Sequence, residues 1–416
     1  GQNYNHETKS ETIMKYTQPS RRDVLAGAGA LAGSAALMGT SALAGGHLGA
    51  QELRTVGLSV TVQERILNDF KAVSGVGSVS GKADIFPNTQ TELLSGSSAY
   101  DVWETIGERL PAMTVTKTIK PMPTSDLKNW ANIRPIFTDT DPRMSPEAQI
   151  SGQIWADDAK TELWMVPTVF NFDSIGYRPD LVSAEEANTW TALFDDKFKG
   201  KTGLNVDPLI AFGQAVLAMT EMGMLENDNP GNPSIEEIDE ASKFLIAKKK
   251  AGQFRALWGD FGELVNLLAS GEMILADAWQ PAVMAVKAQG IQCSYAVPRE
   301  GYRAWSIGNS LIANSPNENA VKAYSDYWLS GPPAITVSEQ GYYSPTTNVK
   351  DVMDADKYAF WYEGKPWVGA PDRGINEGDL RDGGSLEERA SLVKYWHQWP
   401  DEYDHLISKW DEFLSA

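Results

Sequence analysis

Short apolar runs of strand character alternate with segments of helical periodicity along most of this chain. That alternation constrains the fold more than any other feature, because it is the pattern of a sheet covered by helices. Leu53-Arg54-Thr55-Val56-Gly57-Leu58 reads as a strand. Residues 62–71 then place apolar side chains at helical spacing, ending near Gly75. Ala83-Asp84-Ile85-Phe86 reads as a second strand, Thr91-Glu92-Leu93-Leu94 as a short helix before Gly96, and Tyr100-Asp101-Val102-Trp103 as a third strand. Strands joined through helices predict mostly parallel pairing with right-handed crossovers.

A second block of the same kind opens near Trp164. Met165-Val166-Pro167-Thr168-Val169-Phe170 is strand-like, and Ser174-Ile175-Gly176-Tyr177 continues it. Helical or strand patterns follow at 190–194, 201–206, 210–222, 235–249, 261–269, 273–276 and 282–288. The helix over 235–249 ends in three lysines, which suits the negative end of a helix dipole. Ser294-Tyr295-Ala296-Val297-Pro298 and Trp305-Ser306-Ile307 read as a return to the first block, before a helix over 320–329. The tail over 386–413 is rich in Trp and Tyr and is expected to dock as helices across both blocks. A length of 416 residues suits two or three domains.

The first segment reads as an address. Ser20-Arg21-Arg22-Asp23-Val24-Leu25 opens an Ala/Gly-rich run that ends in Ser41-Ala42-Leu43-Ala44. Paired arginines, weak hydrophobicity and a small-x-small end form a twin-arginine export signal. A membrane anchor or buried helix is the competing reading, and the glycines and the small-residue ending weigh against it. Met14 is then the expected start, with 1–13 an upstream extension. Export by this route places the mature chain in the periplasm. It also keeps a redox enzyme in view, since the route carries folded proteins.

Charge and motifs remove several function classes. The net charge is −19, and no basic stripe is available to neutralise phosphates, so nucleic acid is not an expected partner. An acidic surface suits a cationic ligand, but it equally suits plain solubility. Cys293 is the single cysteine, so no disulfide can form within the chain. It lies in the apolar run Ile291-Gln292-Cys293-Ser294-Tyr295, which favours a buried inert thiol. His47, His397 and His405 are the histidines that could serve as its base. There is no His-Glu-x-x-His, Cys-x-x-Cys, P-loop or Gly-x-Ser-x-Gly. The 14 tryptophans could line a sugar surface, but core packing is the plainer use for them. No catalysis, metal or cofactor is expected.

Five local patterns resemble one family. They are Tyr100-Asp101-Val102; Val166-Pro167 followed by Ile175-Gly176-Tyr177; Trp190 through Phe194 with Phe198-Lys199-Gly200; Gly271-Glu272 leading to Trp279; and Trp305 through Asn309-Ser310-Leu311, followed by Gly341-Tyr342-Tyr343-Ser344-Pro345-Thr346. In this order they resemble the type II periplasmic solute-binding proteins of ABC transporters, and among these the spermidine/putrescine-binding group. The resemblance implies a two-lobed α/β fold, each lobe a mostly parallel sheet flanked by helices, joined by a two-crossing hinge. Lobe 1 would comprise 45–168 and 302–416 with the C-terminal helices, and lobe 2 would comprise 169–301. It also implies a monomer that closes on a small organic solute and is read by membrane permease subunits.

In polyamine binders, aromatic rings sandwich the carbon chain and carboxylates hold the ammonium ends. Asp207 stands where the family often places an acid, but it equally suits an N-cap ahead of Pro208. Asp277, Trp279 and Trp305 are candidates for an anchor and two platforms, with core packing as the alternative for the rings. Phe170, Asn171 and Asp173 lie on the first crossing and Tyr343 on the late loop. Two departures matter. Asn309 replaces the family's aspartate, and an amide suits a polar or zwitterionic ligand better than a bare ammonium. Trp103, Glu104 and Arg109 replace a Ser/Tyr-rich run. Arg109 could hold an anion, or form a salt bridge with Glu108 or another neighbour. Tyr342-Tyr343 invites a ferric-ion reading, but the family loop accounts for the pair and no matching His/Glu pair accompanies it.

The leading expectation is therefore a receptor for a small amine-bearing, polyamine-like solute. A receptor for a zwitterion or anion is the alternative within the class. An exported carbohydrate-active or redox enzyme is the alternative outside it.

Overall fold

A computed structural model describes residues 48–416. The extension and export signal read at residues 1–44 lie outside the described residues. In chain order the strands are β1 (Glu52–Gly57), β2 (Ser78–Ala83), β3 (Val102–Ile106), β4 (Ile119–Lys120), β5 (Met122–Pro123), β6 (Glu162–Leu163) and β7 (Val166–Tyr177). They continue as β8 (Thr202–Asn205), β9 (Phe254–Trp258), β10 (Leu275–Ala278), β11 (Ser294–Tyr295), β12 (Tyr302–Ile312) and β13 (Val393–Trp396). Eleven of them form one sheet of order β2-β1-β3-β12-β7-β10-β8-β9. Within it β11 pairs with β7, and β4 and β13 pair with β12.

The expected α/β architecture is present. Its outer strands are parallel, as β1 with β2 and β3, and β8 with β9 and β10. The two long strands β7 and β12 are antiparallel and form the middle of the sheet. Every residue of both is buried. The sequence shows β7 as two pieces because Asn171 and Asp173 interrupt its apolar run, yet both are as buried as their neighbours.

Two local expectations differ from the structure. The second strand is the exposed, polar Ser78–Ala83, and Phe86 begins a helix, Phe86–Leu94, with a proline in its first turn. Strand β2 carries no apolar signal because it lies at the sheet edge. The tail contains a strand, β13, between the helices Leu386–Ala390 and Tyr403–Ser415.

Two large hydrophobic clusters share β7, the first through Val166, Val169, Phe170 and Phe172 and the second through Ile175 and Tyr177. The first gathers Val56, Val102, Phe137, Val169, Ile307, Tyr324 and Trp396. The second gathers Ile175, Trp190, Leu204, Phe212, Ile238 and Leu275. A smaller third cluster contains Trp258, Leu268, Val283 and Cys293. Burial there pushes the Cys293 thiol up to about 12, as an inert thiol requires.

The closing helix Tyr403–Ser415, part of the tail expected to dock across both blocks, packs into the second cluster through Leu406, Trp410 and Phe413. The Trp410 ring lies 6.2 Å from Phe212, and the Phe413 ring 6.5 Å from Phe254. Burying rings of this size stabilises by roughly 2 kcal/mol each. Tyr395 of β13 also belongs to the second cluster and its neighbour Trp396 to the first, so the two clusters meet along β13.

Candidate functional site

Asp173 on β7 and Arg303 on β12 are register partners on the two long strands. Arg303 Nη2 donates to Asp173 Oδ2 at 2.7 Å, with both side chains buried. Asp173 Oδ1 and Arg303 Nε are also buried, and neither has a hydrogen-bond partner among the described residues. Burial raises the Asp173 carboxyl above its ordinary value, against the opposing Arg303 charge. The nearby Trp305 indole favours the charged form too.

Asp277 follows from the neighbouring strand. Antiparallel pairing of β10 with β7 sets Asp277 opposite Ile175, two residues beyond Asp173. Gln214 Nε2, on the helix Pro208–Glu221, donates to Asp277 Oδ2 at 2.9 Å. Trp258 Nε1, at the end of β9, donates to Oδ1 at 3.0 Å. Burial still pushes the carboxyl up to about 6. The Gln214 bond and the Arg303 charge oppose that shift, while the Asp173 charge adds to it. Gln214 Oε1 is itself buried without a hydrogen-bond partner among the described residues.

A second group meets just beyond the end of β13. Glu108, in the turn Gly107–Arg109, lies 3.6 Å from His397 Nε2, with both residues buried. Burial pushes Glu108 up to about 7; the Arg109 charge opposes this and Asp207 adds to it. Burial drives His397 well below its ordinary value, helped by the charges of Arg303 and Arg109, so the ring is neutral near pH 7. Both ring nitrogens, Arg109 Nε and Glu108 Oε2 have no hydrogen-bond partner among the described residues. Arg303 thus acts electrostatically on Asp173, Asp277, Glu108 and His397.

Aromatic residues adjoin the aspartates. Trp305 meets Tyr342 edge-on at 5.5 Å. Trp279 is half-buried, edge-on to Trp258 at 4.9 Å and stacked with Phe261 at 6.5 Å. Tyr295 OH donates to Ala278 O and accepts from Ser174 N, tying together the residues that follow both aspartates.

The structure brings together Asp173, Asp277 and Trp305, and takes several other candidates elsewhere. Trp103 is a core ring whose Nε1 donates to Thr89 Oγ1 at 2.9 Å. Glu104 is enclosed in the first cluster, accepting from Thr61 Oγ1 and Tyr324 OH. Asn309 faces Ser325 in that same interior, with its Nδ2 3.4 Å from Ser325 Oγ. Phe170 packs against Tyr343 at 5.4 Å. Asn171 Oδ1 and Tyr343 OH both accept from the buried Arg389. Asp207 is an N-cap, its Oδ1 accepting from Leu209 N and Ile210 N. Arg109 pairs with Gln90 Oε1 at 2.9 Å rather than with a carboxylate, and lies over Trp399.

Sequence reasoning passed over Arg303, Gln214 and Trp258, and gave Glu108 and His397 no binding role. Arg303 had a usable signal: it lies two residues before Trp305 on a strand, where period 2 puts both side chains on one face. The other four carry no local pattern.

The description "Bacterial extracellular solute-binding protein" matches residues 73–361, well over half the chain. Among solved structures, the spermidine/putrescine ABC transporter substrate-binding protein PotD of Streptococcus pneumoniae aligns with a TM-score of 0.62 and 14% identity, covering 88% of this chain and 99% of that one. An ABC transporter substrate-binding protein of Bradyrhizobium japonicum aligns at 0.59 and 16% identity, covering 87% and 99%. The PBP MotA of A. tumefaciens, solved with glucopine, aligns at 0.58 and 12% identity, covering 87% and 99%. At such identities the likeness establishes the fold, which is that of the periplasmic-binding-protein-like substrate-binding proteins. The family match goes further: the chain belongs to the bacterial extracellular solute-binding proteins.

Proposed function

We propose that the chain is the extracytoplasmic receptor of an ABC importer and captures a small amine-bearing organic solute between two lobes. The two large hydrophobic clusters are the cores of those lobes, and β7 and β13 each contribute side chains to both. The observation that carries the reading is the pair Asp173 and Asp277. These are two buried carboxylates on adjacent strands, Asp277 pairing with Ile175 two residues from Asp173, and Asp173 has an oxygen without a partner among the described residues. Burial raises both carboxyls. An entering ammonium would favour their charged forms and gain charge-assisted hydrogen bonds. Trp305 and Tyr342 supply apolar surface beside them.

Asp173 lies on a strand shared by the lobes, and Asp277 is held by Gln214 and Trp258 of the second side. A solute touching both would bind the closed arrangement better than an open one, and only such a difference shifts the population. The permease would then read the closed form. Export by the twin-arginine route, a monomeric state and the absence of turnover complete the proposal. The neighbour named for spermidine and putrescine is in keeping with an amine-bearing solute.

A thermal-shift screen of the exported chain tests this, using putrescine, spermidine, amino acids, sulfonates and phosphonates. A ligand at 100 times its dissociation constant adds about 2.7 kcal/mol of apparent stability, which such a screen detects. Shifts confined to amine-bearing solutes support the reading. Shifts only with solutes that lack an amine reject it.

A further inference from the structure

We infer that residues 364–385 form a strap that fastens the two lobes to each other, so that the protein rests closed before any solute arrives and opens by releasing the strap. This rests on the two-lobed, hinge-closing reading above and adds to it the state from which the receptor starts.

The segment joins the helices Ala355–Glu363 and Leu386–Ala390 without a helix or strand of its own. Loops of this length are uncommon in compact domains unless they serve a use. This one is built. Trp367 N donates to Asp379 O at 2.8 Å and Gly378 N donates to Trp367 O at 2.9 Å, which closes the loop at its base. Trp367 and Ile375 are buried in the first cluster. At the tip, Asp372 and Ile375 pair across Arg373 and Gly374, whose φ angles are 46° and 79°. Positive φ at both central residues makes a tight two-residue turn.

That tip rests on the other lobe. The helix Gln280–Lys287 places Val283 and Val286 in the third cluster. Strand β10 gives Leu275 to the second cluster and Ala276 and Ala278 to the third, so both clusters belong to one lobe. Gly374 lies so close to the end of the helix that a Cβ there would stand 2.4 Å from the Lys287 carbonyl carbon. Met284 of the same helix packs against the first cluster.

Two consecutive residues make a second fastening. Arg381 is 3% exposed and donates to Trp361 O at 2.5 Å and to Gly341 O at 2.8 Å, both on the side of the first cluster. Asp382 faces the other way and accepts from Tyr295 N at 2.9 Å. Tyr295 lies on β11 and is buried in the third cluster. A segment gripped by one lobe through Arg381 and by the other through Asp382 cannot keep both holds when the lobes part. Opening breaks the bond to Tyr295 and lifts the tip from Lys287. These contacts are made by the chain alone and use none of Asp173, Asp277 or Trp305. They therefore favour the closed arrangement whether or not a solute is bound.

A distance across the cleft tests the strap. Asn68→Cys on the helix Glu64–Ser74 and Asn266→Cys on the helix Phe261–Ser270 put one exposed thiol on each lobe. The native Cys293 is buried and stays unlabelled. Nitroxide labels at the two sites give a distance distribution by pulsed electron spin resonance. The protein with its strap intact, dialysed free of solute, should show one short distance. Asp382→Ala should add a longer one, moving the closed-to-open ratio by about tenfold or more. If that variant does not fold, Gly374→Ala drives the tip against Lys287 and should do the same. Val368→Ala, at an exposed position on the same segment, should leave the distribution unchanged. A segment with a purely structural part would lower the denaturant midpoint in Asp382→Ala and add no second distance, which overturns the inference. An intact protein that is open without solute and closes when spermidine is added would overturn the strap and leave the receptor reading standing.

Discussion

Tyr324 OH donates to Glu104 Oε1 at 2.9 Å while Thr61 Oγ1 donates to Oε2 at 2.6 Å, so a carboxyl with no cation beside it is held inside the first cluster. Its place is set by the close approach of β1: a Cβ on Gly57 would lie 2.5 Å from Glu104 Cβ. Burial pushes Glu104 up to about 7 from an ordinary 4.5, and the two hydroxyls only partly oppose it.

Glu104 should therefore make the fold less stable as pH rises. The folded state holds the proton more tightly than the unfolded chain. The stabilising contribution is complete below about pH 4.5 and is lost as pH climbs to about 7. The full loss is about 3 kcal/mol. Glu108 and Asp277 titrate in the same direction. Denaturant unfolding between pH 4 and 8 should show Glu104→Gln flattening this dependence by about one proton, and the variant should be the more stable protein at pH 8. An unchanged slope would mean that Glu104 is not protonated in the folded state.

The Asp173–Arg303 pair gives a second prediction. Removing one partner leaves a buried charge uncompensated, which costs about 3–5 kcal/mol. Asp173→Asn and Arg303→Met should each be strongly destabilising. The double variant should be much less so than the sum, because no lone charge remains. Urea melts of the four proteins form a double-mutant cycle. Strict additivity would show that the two side chains do not interact.

Much of the architecture was legible because buried strands and helices carry their period in the sequence. The misreadings have physical causes. Strand β2 is an exposed edge with no apolar signal, and β7 looked broken where polar residues are buried. The aromatic candidates Trp103, Phe170 and Tyr343 are core rings, and a binding platform and a core contact ask for the same residue type. Glu104 and Asn309 looked like cleft groups because polar residues on strands usually face water or ligand. Glu104 instead finds its phenol partner 220 residues away in sequence. Arg303 reaches Asp173 across 130 residues, and no local pattern announces such a pairing.

Asp207 allows capping and binding to be separated. Its carboxylate caps the helix Pro208–Glu221, so Asp207→Ala should cost about 1 kcal/mol. Asn caps as well as Asp, so Asp207→Asn should keep wild-type stability. Thermal melts of both variants check this. Titration of Asp207→Asn with the cognate solute then isolates the charge. Unchanged affinity assigns Asp207 to the cap alone, and a loss without destabilisation gives it a part in binding.

The pH dependence of solute binding tests Asp277. Its carboxyl is raised to about 6, so it is mostly charged at pH 7 and mostly neutral at pH 5. An aliphatic ammonium stays protonated across that range. If the ammonium needs the charged carboxylate, affinity should hold at pH 7–8 and fall by about tenfold per unit below pH 6. Protonation of Asp173 steepens the fall at lower pH, since burial raises that carboxyl too. Asp277→Asn keeps one acceptor oxygen for Trp258 Nε1, can donate its amide N–H to a flipped Gln214 Oε1, and has no charge to lose. It should bind weakly at pH 8 and show little further loss down to pH 6. Calorimetry of both proteins at pH 5, 6, 7 and 8 provides the comparison. A wild-type affinity that stays flat from pH 8 to pH 5 would remove Asp277 from the contacts of the amine.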